Sequence, residues 1–194
     1  MAFDVNSFKQ NISKYGILQT NRFEVSIPLN TNLASVTKMG LSDMSRLLTF
    51  RADKAILPPA ALVTIDNPIF GIGPVQKMPS NIVFEDIEIS FLADSDGEIY
   101  NFLYGWLNYI YDFSGINNST PTYSLNYKDN YVTDVSIITF DNQGNAITTH
   151  TLHRAYPTAI GAIPLDWGNN NTLMKVSILL TYFTCSLTKN IVSN

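Results

Sequence analysis

Between Glu98 and Ile110 the chain places Ile99, Phe102, Leu103, Trp106, Leu107 and Ile110 at i, i+3, i+4, i+7, i+8 and i+11, a single apolar stripe along a helix. Asn101, Asn108 and Asp112 fall off that stripe. Ser95 to Glu98 reads S-x-x-E, the spacing of a capping box, and Asp94 and Asp96 add negative charge at the positive end of the helix dipole. A helix with one apolar face needs a surface to cover it. The rest of the chain supplies strands, so the fold has to lay this helix on a sheet.

The strand pattern recurs along the sequence. Phe23, Val25 and Ile27 alternate with Arg22, Glu24 and Ser26 until Pro28 stops the run. A strand is expected over Thr49–Leu57, ended by Pro58-Pro59, and another over Asn81–Ala93. In the latter Ile82 and Phe84 share one parity and Ile87, Ile89 and Phe91 the other, which calls for a bulge near Glu85-Asp86. Tyr123–Asp129, Tyr131–Phe140, Ala146–Arg154 and Leu173–Leu187 also read as strands, with residues 141–145 as a hairpin turn. The last strand carries Met174, Val176, Ile178, Leu180 and Tyr182 on one face and Leu179, Phe183 and Cys185 on the other, so both faces are expected to be covered. The tail from Thr188 is expected to be loose.

Three further segments complete the order. Val5, Phe8, Ile12 and Tyr15 recur at helical spacing before Gly16, predicting a short N-terminal helix. Residues 31–48 form a loose helical pattern inserted between two strands. Residues 58–80 hold two short apolar runs divided by Asp66, Asn67 and Pro68, which reads as a protruding hairpin arm. The fold class is therefore α+β and mainly β: an antiparallel sandwich or barrel with a flanking amphipathic helix, within one domain of 194 residues.

Composition narrows the function. Charged residues are 14% of the chain against roughly 25% in ordinary soluble domains. Interface cores are depleted in charge and rich in aromatics, so the composition favours burial against other subunits. A net charge of −4 and the lack of any basic run exclude a protein that grips nucleic acid through its phosphates. Cys185 is the only cysteine, ruling out a disulfide framework and a cysteine metal site; it reads as a buried, inert thiol. No apolar stretch has the length of a signal peptide or of a spanning helix, so a soluble protein without membrane insertion is expected.

The search for catalysis finds little. His150 and His153 sit three apart in a strand and point to opposite faces, so they cannot share a metal. Gly71-Ile72-Gly73 is followed by Pro74 rather than a helix start and makes no phosphate loop. The acidic set around Asp94, Asp96 and Glu98 is too short for a calcium loop. No catalytic, metal or cofactor residues are assigned. A binding module of the β-sandwich type, using the Tyr and Asn residues near Tyr123–Tyr131, is the reading from another class.

At residues 155–171 the sequence AYPTAIGAIPLDWGNNN leads into an alternating strand. This resembles the C-terminal signature of the tail tube proteins of contractile-tailed bacteriophages, at Tyr156, Pro157, Ile160, Leu165, Asp166, Trp167, Asn169, Asn170 and Tyr182. The strand from Asn21 to Val25, the Leu57-Pro58 step, the long hairpin, the run Phe84–Phe91 and the helix containing Phe102, Trp106 and Ile110 follow in the same order. Structural roles are expected for the signature: Pro157 at a kink or edge, Trp167 as a buried anchor, and Asp166 with the asparagines in a turn.

The resemblance implies a virion subunit, assembled in the host cytoplasm, whose hexameric rings stack into a tube inside a contractile sheath. Its implied partners are copies of itself, the tail sheath protein, baseplate proteins, a tape measure protein in the lumen, and genomic DNA in transit without specific binding. The arm residues Pro58, Asp66, Asn67, Pro68, Ile69, Phe70 and Pro79 would then contact neighbouring subunits. Insertions like 31–48 also resemble those of related baseplate proteins that initiate the tube, and the choice between tube and initiator stays open.

Overall fold

The computed structural model describes residues 4–68, 71, 73–112, 124–168 and 172–190. The chain begins with helix α1 (Val5–Tyr15), started by Asp4, whose carboxylate accepts from the Asn6 amide at 3.0 Å. Strand β1 (Phe23–Ser26) follows, then a 3₁₀ turn (Thr31–Ser35), helix α2 (Leu41–Arg51) and strand β2 (Ala52–Ala55). Next come β3 (Ala60–Pro68), β4 (Val75–Phe84), β5 (Ile87–Leu92) and helix α3 (Glu98–Ile110). Two short strands, β6 (Tyr111–Asp112) and β7 (Ser124–Leu125), and a helical turn α4 (Lys128–Tyr131) precede β8 (Thr133–Phe140), β9 (Ala146–Ile160), β10 (Lys175–Thr181) and β11 (Thr184–Lys189).

The main sheet path is β1-β8-β9-β10-β5-β2, with β11 paired to β9, and every pairing is antiparallel. Strand β9 belongs to two layers. Its first part pairs with β8 and β11, whereas Tyr156–Ile160 pairs with β10. The change of layer occurs at a bulge opposite Asp134, where Arg154 takes φ 56. Asp134 Oδ1 accepts the Arg154 amide at 2.9 Å, giving the bulged N–H a partner.

One apolar cluster joins the layers and the helices. Ile87, Ile89 and Phe91 of β5 and Val176, Ile178 and Leu180 of β10 are buried with Val25, Val135, Ile137 and Leu152. From α3, Ile99, Phe102, Leu103 and Trp106 close over it, as the helical stripe requires, while Ile110 packs at its margin. Gly105 lets the helix approach: a Cβ there would lie 2.6 Å from Val36 Cγ1.

Several elements differ from the sequence expectation. Helix α2 runs to Arg51, shortening the expected Thr49–Leu57 strand to Ala52–Ala55; Met44 and Leu48 extend a buried stripe, and Ser45 Oγ donates to Ile27 O at 2.7 Å. The expected strand Asn81–Ala93 is two strands. Its parity switch marks the break between β4 and β5 at Glu85-Asp86, with Glu85 and Asp86 in neither. In place of the Ser95–Glu98 capping box, Asp94 caps α3, its two oxygens accepting from Glu98 N at 3.0 Å and Ile99 N at 3.1 Å. Gly97, at φ 69, turns the chain into the helix in a region that favours glycine.

The Tyr123–Asp129 strand reduces to β7 and the turn α4; Tyr123 lies outside the described residues. Leu173–Leu187 divides into β10 and β11 at Tyr182-Phe183, where the Phe183 amide turns to His153 O at 3.0 Å. Phe183 is 70% exposed while Leu179 and Cys185 are half-buried, so that face is covered only in part. Strand β11 continues to Lys189, and the Asn190 amide reaches Ile147 O at 2.8 Å, so the start of the tail is paired rather than loose.

Candidate assembly surface

The segment read as an arm contains the hairpin β3–β4, and β4 continues past residue 80 to Phe84. At about 3.3 Å per residue the nine residues of β3 span roughly 30 Å. Register places Leu62 opposite Ile82, Thr64 opposite Pro79 and Asp66 opposite Lys77 on one face, and Ile65 opposite Met78 and Asn67 opposite Gln76 on the other. A bulge follows Val63, and Pro68 pairs with Val75 near the tip. Every residue of β3 is exposed, and all of β4 except Phe84. Two-stranded hairpins are marginal in water by themselves, and here apolar side chains stand on both faces. Pro58 stands half-buried at the base. Ile69 and Phe70 lie outside the described residues.

The 155–171 segment behaves differently from expectation at its most conspicuous residue. Trp167, expected as a buried anchor, is fully exposed, and Leu165 is 84% exposed. The buried indole is Trp106, whose Nε1 donates to the Tyr131 carbonyl at 3.0 Å. Burial follows from where the tertiary fold places a residue, and residues 161–168 run outside regular structure. Asp166 keeps its expected turn role, its Oδ1 accepting the Gly168 amide at 2.9 Å, while Asn169 and Asn170 lie outside the described residues. Pro157 sits in β9 opposite Leu180 at a register shift, a position where a missing N–H costs no ladder bond. Tyr156 packs edge-on against Tyr131 with centroids 5.4 Å apart, under the Lys128 ammonium.

A surface the sequence reading missed lies on the four strands β1, β8, β9 and β11. Ser26, Ser136, Thr151 and Ser186 stand in register across them, and Glu24, Ile138, Thr149 and Thr188 form the next row. These positions alternate with buried Val25, Val135, Ile137 and Leu152, so they face away from the core. Ser136 and Thr151 hydroxyls are 3.4 Å apart, and Thr149 accepts from Asn190. The two rows hold short hydroxyls, one isoleucine and one carboxylate, and no cation. Alternating Ser and Thr in strand-patterned runs was the available signal.

Titratable groups near this sheet serve its geometry. His153 has Nδ1 3.4 Å from Asp134 Oδ2 and Nε2 2.8 Å from Ser186 Oγ. His150 points to the other side, where burial lowers its pKa, and burial raises that of the half-buried Cys185 thiol. Among the described residues no group of three or more His, Cys, Asp or Glu side chains is arranged to hold a metal ion. Among them, too, no helix is long and apolar enough to cross a membrane.

Comparison with known proteins agrees with this geometry. The tail tube protein of Serratia phage KSP90 is 28% identical over 184 residues, covering 94% of this chain and 92% of the relative. Among solved structures, a chain of the anti-feeding prophage baseplate superposes with TM-score 0.60 at 12% identity, over 89% of this chain and 96% of that one. A chain of the PVC extracellular contractile injection system sheath-tube complex superposes with TM-score 0.54 at 14% identity, over 97% and 100%. At such identities the structural likeness speaks for the fold. The phage tail tube protein family model matches residues 18–186, from the segment before β1 to the middle of β11. With most of its length matched, and with its sheets and projecting hairpin built as described, the chain belongs to the phage tail tube protein family.

Proposed function

We propose that this protein is the repeating structural subunit of a tail tube, forming six-membered rings that stack into a channel inside a contractile sheath. The observation that carries this reading is the β3–β4 arm, a long hairpin with apolar side chains on both faces and no cover within its own subunit. In a stack, the arm reaches a neighbouring ring and its Leu62, Ile65, Met78 and Ile82 are covered there. Low charge content and the exposed Phe183, Leu165 and Trp167 support the same burial between subunits.

The hydroxyl-rich face of β1, β8, β9 and β11 suits the lumen. Passing DNA needs a wall that does not neutralise phosphates, and two rows without Lys or Arg offer it no counterion-releasing contact. The other partners of this reading are the sheath outside, the baseplate at one end and a tape measure protein inside before DNA enters. Residues 31–48 bury Leu33, Met44 and Leu48 in the common core. They are thus part of the subunit's body rather than an appended contact device, which favours the main tube over the initiator.

Electron microscopy of the purified protein, with its mass from light scattering, tests the proposal. Rings or hollow tubes are expected. A strict monomer at high concentration overturns the self-assembling reading and directs attention to a baseplate-dependent ring.

A further inference from the structure

Where β9 changes layer, three side chains of the hydroxyl-rich face meet in a line. His153 and Arg154 of β9 together stand against the single residue Asp134 of β8, and Arg154 is, among the described residues, the only one other than glycine at positive φ. Bulges re-aim side chains, and backbone held in the left-handed region points to a task beyond folding. Here the bulge divides the Asp134 carboxylate between two donors. Its Oδ1 takes the Arg154 amide at 2.9 Å, which fixes the group, and its Oδ2 lies 3.4 Å from His153 Nδ1. On the far side of the ring, Nε2 lies 2.8 Å from Ser186 Oγ of β11. Thr184 stands directly opposite His153, so Ser186 is its diagonal neighbour and the imidazole links β8 to β11.

Elementary chemistry assigns the protons. A carboxylate only accepts, so Nδ1 carries the hydrogen; in the neutral ring Nε2 is then an acceptor and receives the Ser186 O–H. A hydroxyl on a base that a third group orients is the arrangement of an activated nucleophile, whatever fold carries it. Other hydroxyls of the face are paired differently: Ser136 meets Thr151, and Thr149 meets Asn190. Ser186 is exposed, so a reagent can reach it.

We propose that Asp134 and His153 make Ser186 a covalent acceptor for activated acyl and phosphonyl esters. Oγ attacks the carbonyl carbon, the Oγ–C bond forms and the bond from that carbon to the leaving oxygen breaks. The hydroxyl proton passes to His153 Nε2 and from there to the departing alkoxide, leaving one acyl group on Ser186. Asp134 is a positioning residue, holding the ring in the tautomer that accepts. The three side chains belong to one chain, so this site and the assembly reading stand or fall separately.

Labelling with an alkyl fluorophosphonate, in which the Oγ–P bond forms as fluoride leaves, tests the site. Peptide mass spectrometry should find Ser186 modified at least about 100-fold faster than Ser80, an exposed serine of β4, the lower end of what a positioned base supplies. His153→Gln should bring Ser186 down to the rate of Ser80 while the thermal midpoint is kept. Asp134→Asn keeps an oxygen for the Arg154 amide but turns an N–H toward Nδ1, which moves the ring hydrogen to Nε2. Nitrogen NMR of the ring should show that move, and labelling should fall by a similar factor. Equal labelling of Ser186 and Ser80 in the parent overturns the proposal, as does fast labelling that survives His153→Gln. Should Asp134→Asn fail to fold, the parent and His153→Gln rates decide.

Discussion

Trp106 Nε1 donates a 3.0 Å hydrogen bond to the Tyr131 carbonyl, tying α3 to the turn that feeds β8. The indole is fully buried, so both its area and its single polar group are satisfied within the subunit. Trp106→Phe should lose about 1–3 kcal/mol, because a buried carbonyl is left without its donor. Trp106→Ala should lose about 3–5 kcal/mol. Urea unfolding of the two variants checks the order. In the same assay Trp167→Ala should stay within about 0.5 kcal/mol of the parent, since an exposed side chain has little packing to lose.

Gly105→Ala should destabilise the subunit by about 1–3 kcal/mol, the range for overpacking a filled site. Its Cβ would meet Val36 Cγ1 at 2.6 Å, and a β-branched side chain has few alternative rotamers with which to give way. Thermal unfolding measures this, and Val36→Ala in the same chain should recover part of the loss.

Asp94 gives a pH-dependent prediction. Burial pushes its pKa up, but the amides of Ile99 and Glu98 outweigh that and hold it below the usual carboxylate value. A lowered pKa in the folded state means stability that is present above about pH 4 and lost as pH falls through the folded-state value. Asp94→Ala should cost about 0.5–2 kcal/mol at pH 7, as loss of a helix cap does. The gap between variant and parent should narrow at pH 3, read as the difference in unfolding midpoints.

Tyr182 buries its hydroxyl with no hydrogen-bond partner among the described residues, beside Phe84 at 5.7 Å between ring centroids. Removing an unsatisfied polar group while keeping the ring costs little, so Tyr182→Phe should unfold at the same temperature as the parent or above it. A drop of several degrees would show that the hydroxyl is bonded in solution.

Removal of residues 66–70 at the arm tip should leave the thermal midpoint of the subunit nearly unchanged while abolishing stacking. The described part of the tip pairs strand to strand within the hairpin, Asn67 Nδ2 lying 3.5 Å from Met78 Sδ, and Asp66, Asn67 and Pro68 are all exposed. Tubes of normal length from the shortened protein, seen by electron microscopy, would remove the arm from the stacking contact.

Much of the fold was legible because burial follows period. The Ile99–Trp106 stripe and the Val176, Ile178, Leu180 alternation both face the core. Strand ends were harder, since they depend on partners distant in sequence. Nothing local at Tyr182-Phe183 announces that β10 pairs with β5 and β9 while β11 pairs with β9 alone. Likewise Ser95 carries the capping pattern, but the turn at Gly97 brings Asp94 to the helix amides instead. The arm was readable from Pro and Asn punctuation, whereas the hydroxyl rows emerge only once four separated strands are set in register.

Strand β9 has a mechanical consequence. Its fifteen residues form one unbroken backbone that leaves the layer shared with β8 and enters the layer shared with β10. Force applied to either layer passes to the other through covalent bonds, with the Asp134 carboxylate bracing the corner at Arg154. The two layers must therefore strain together, like one folded spring, and cannot slide past each other as separate plates under axial load.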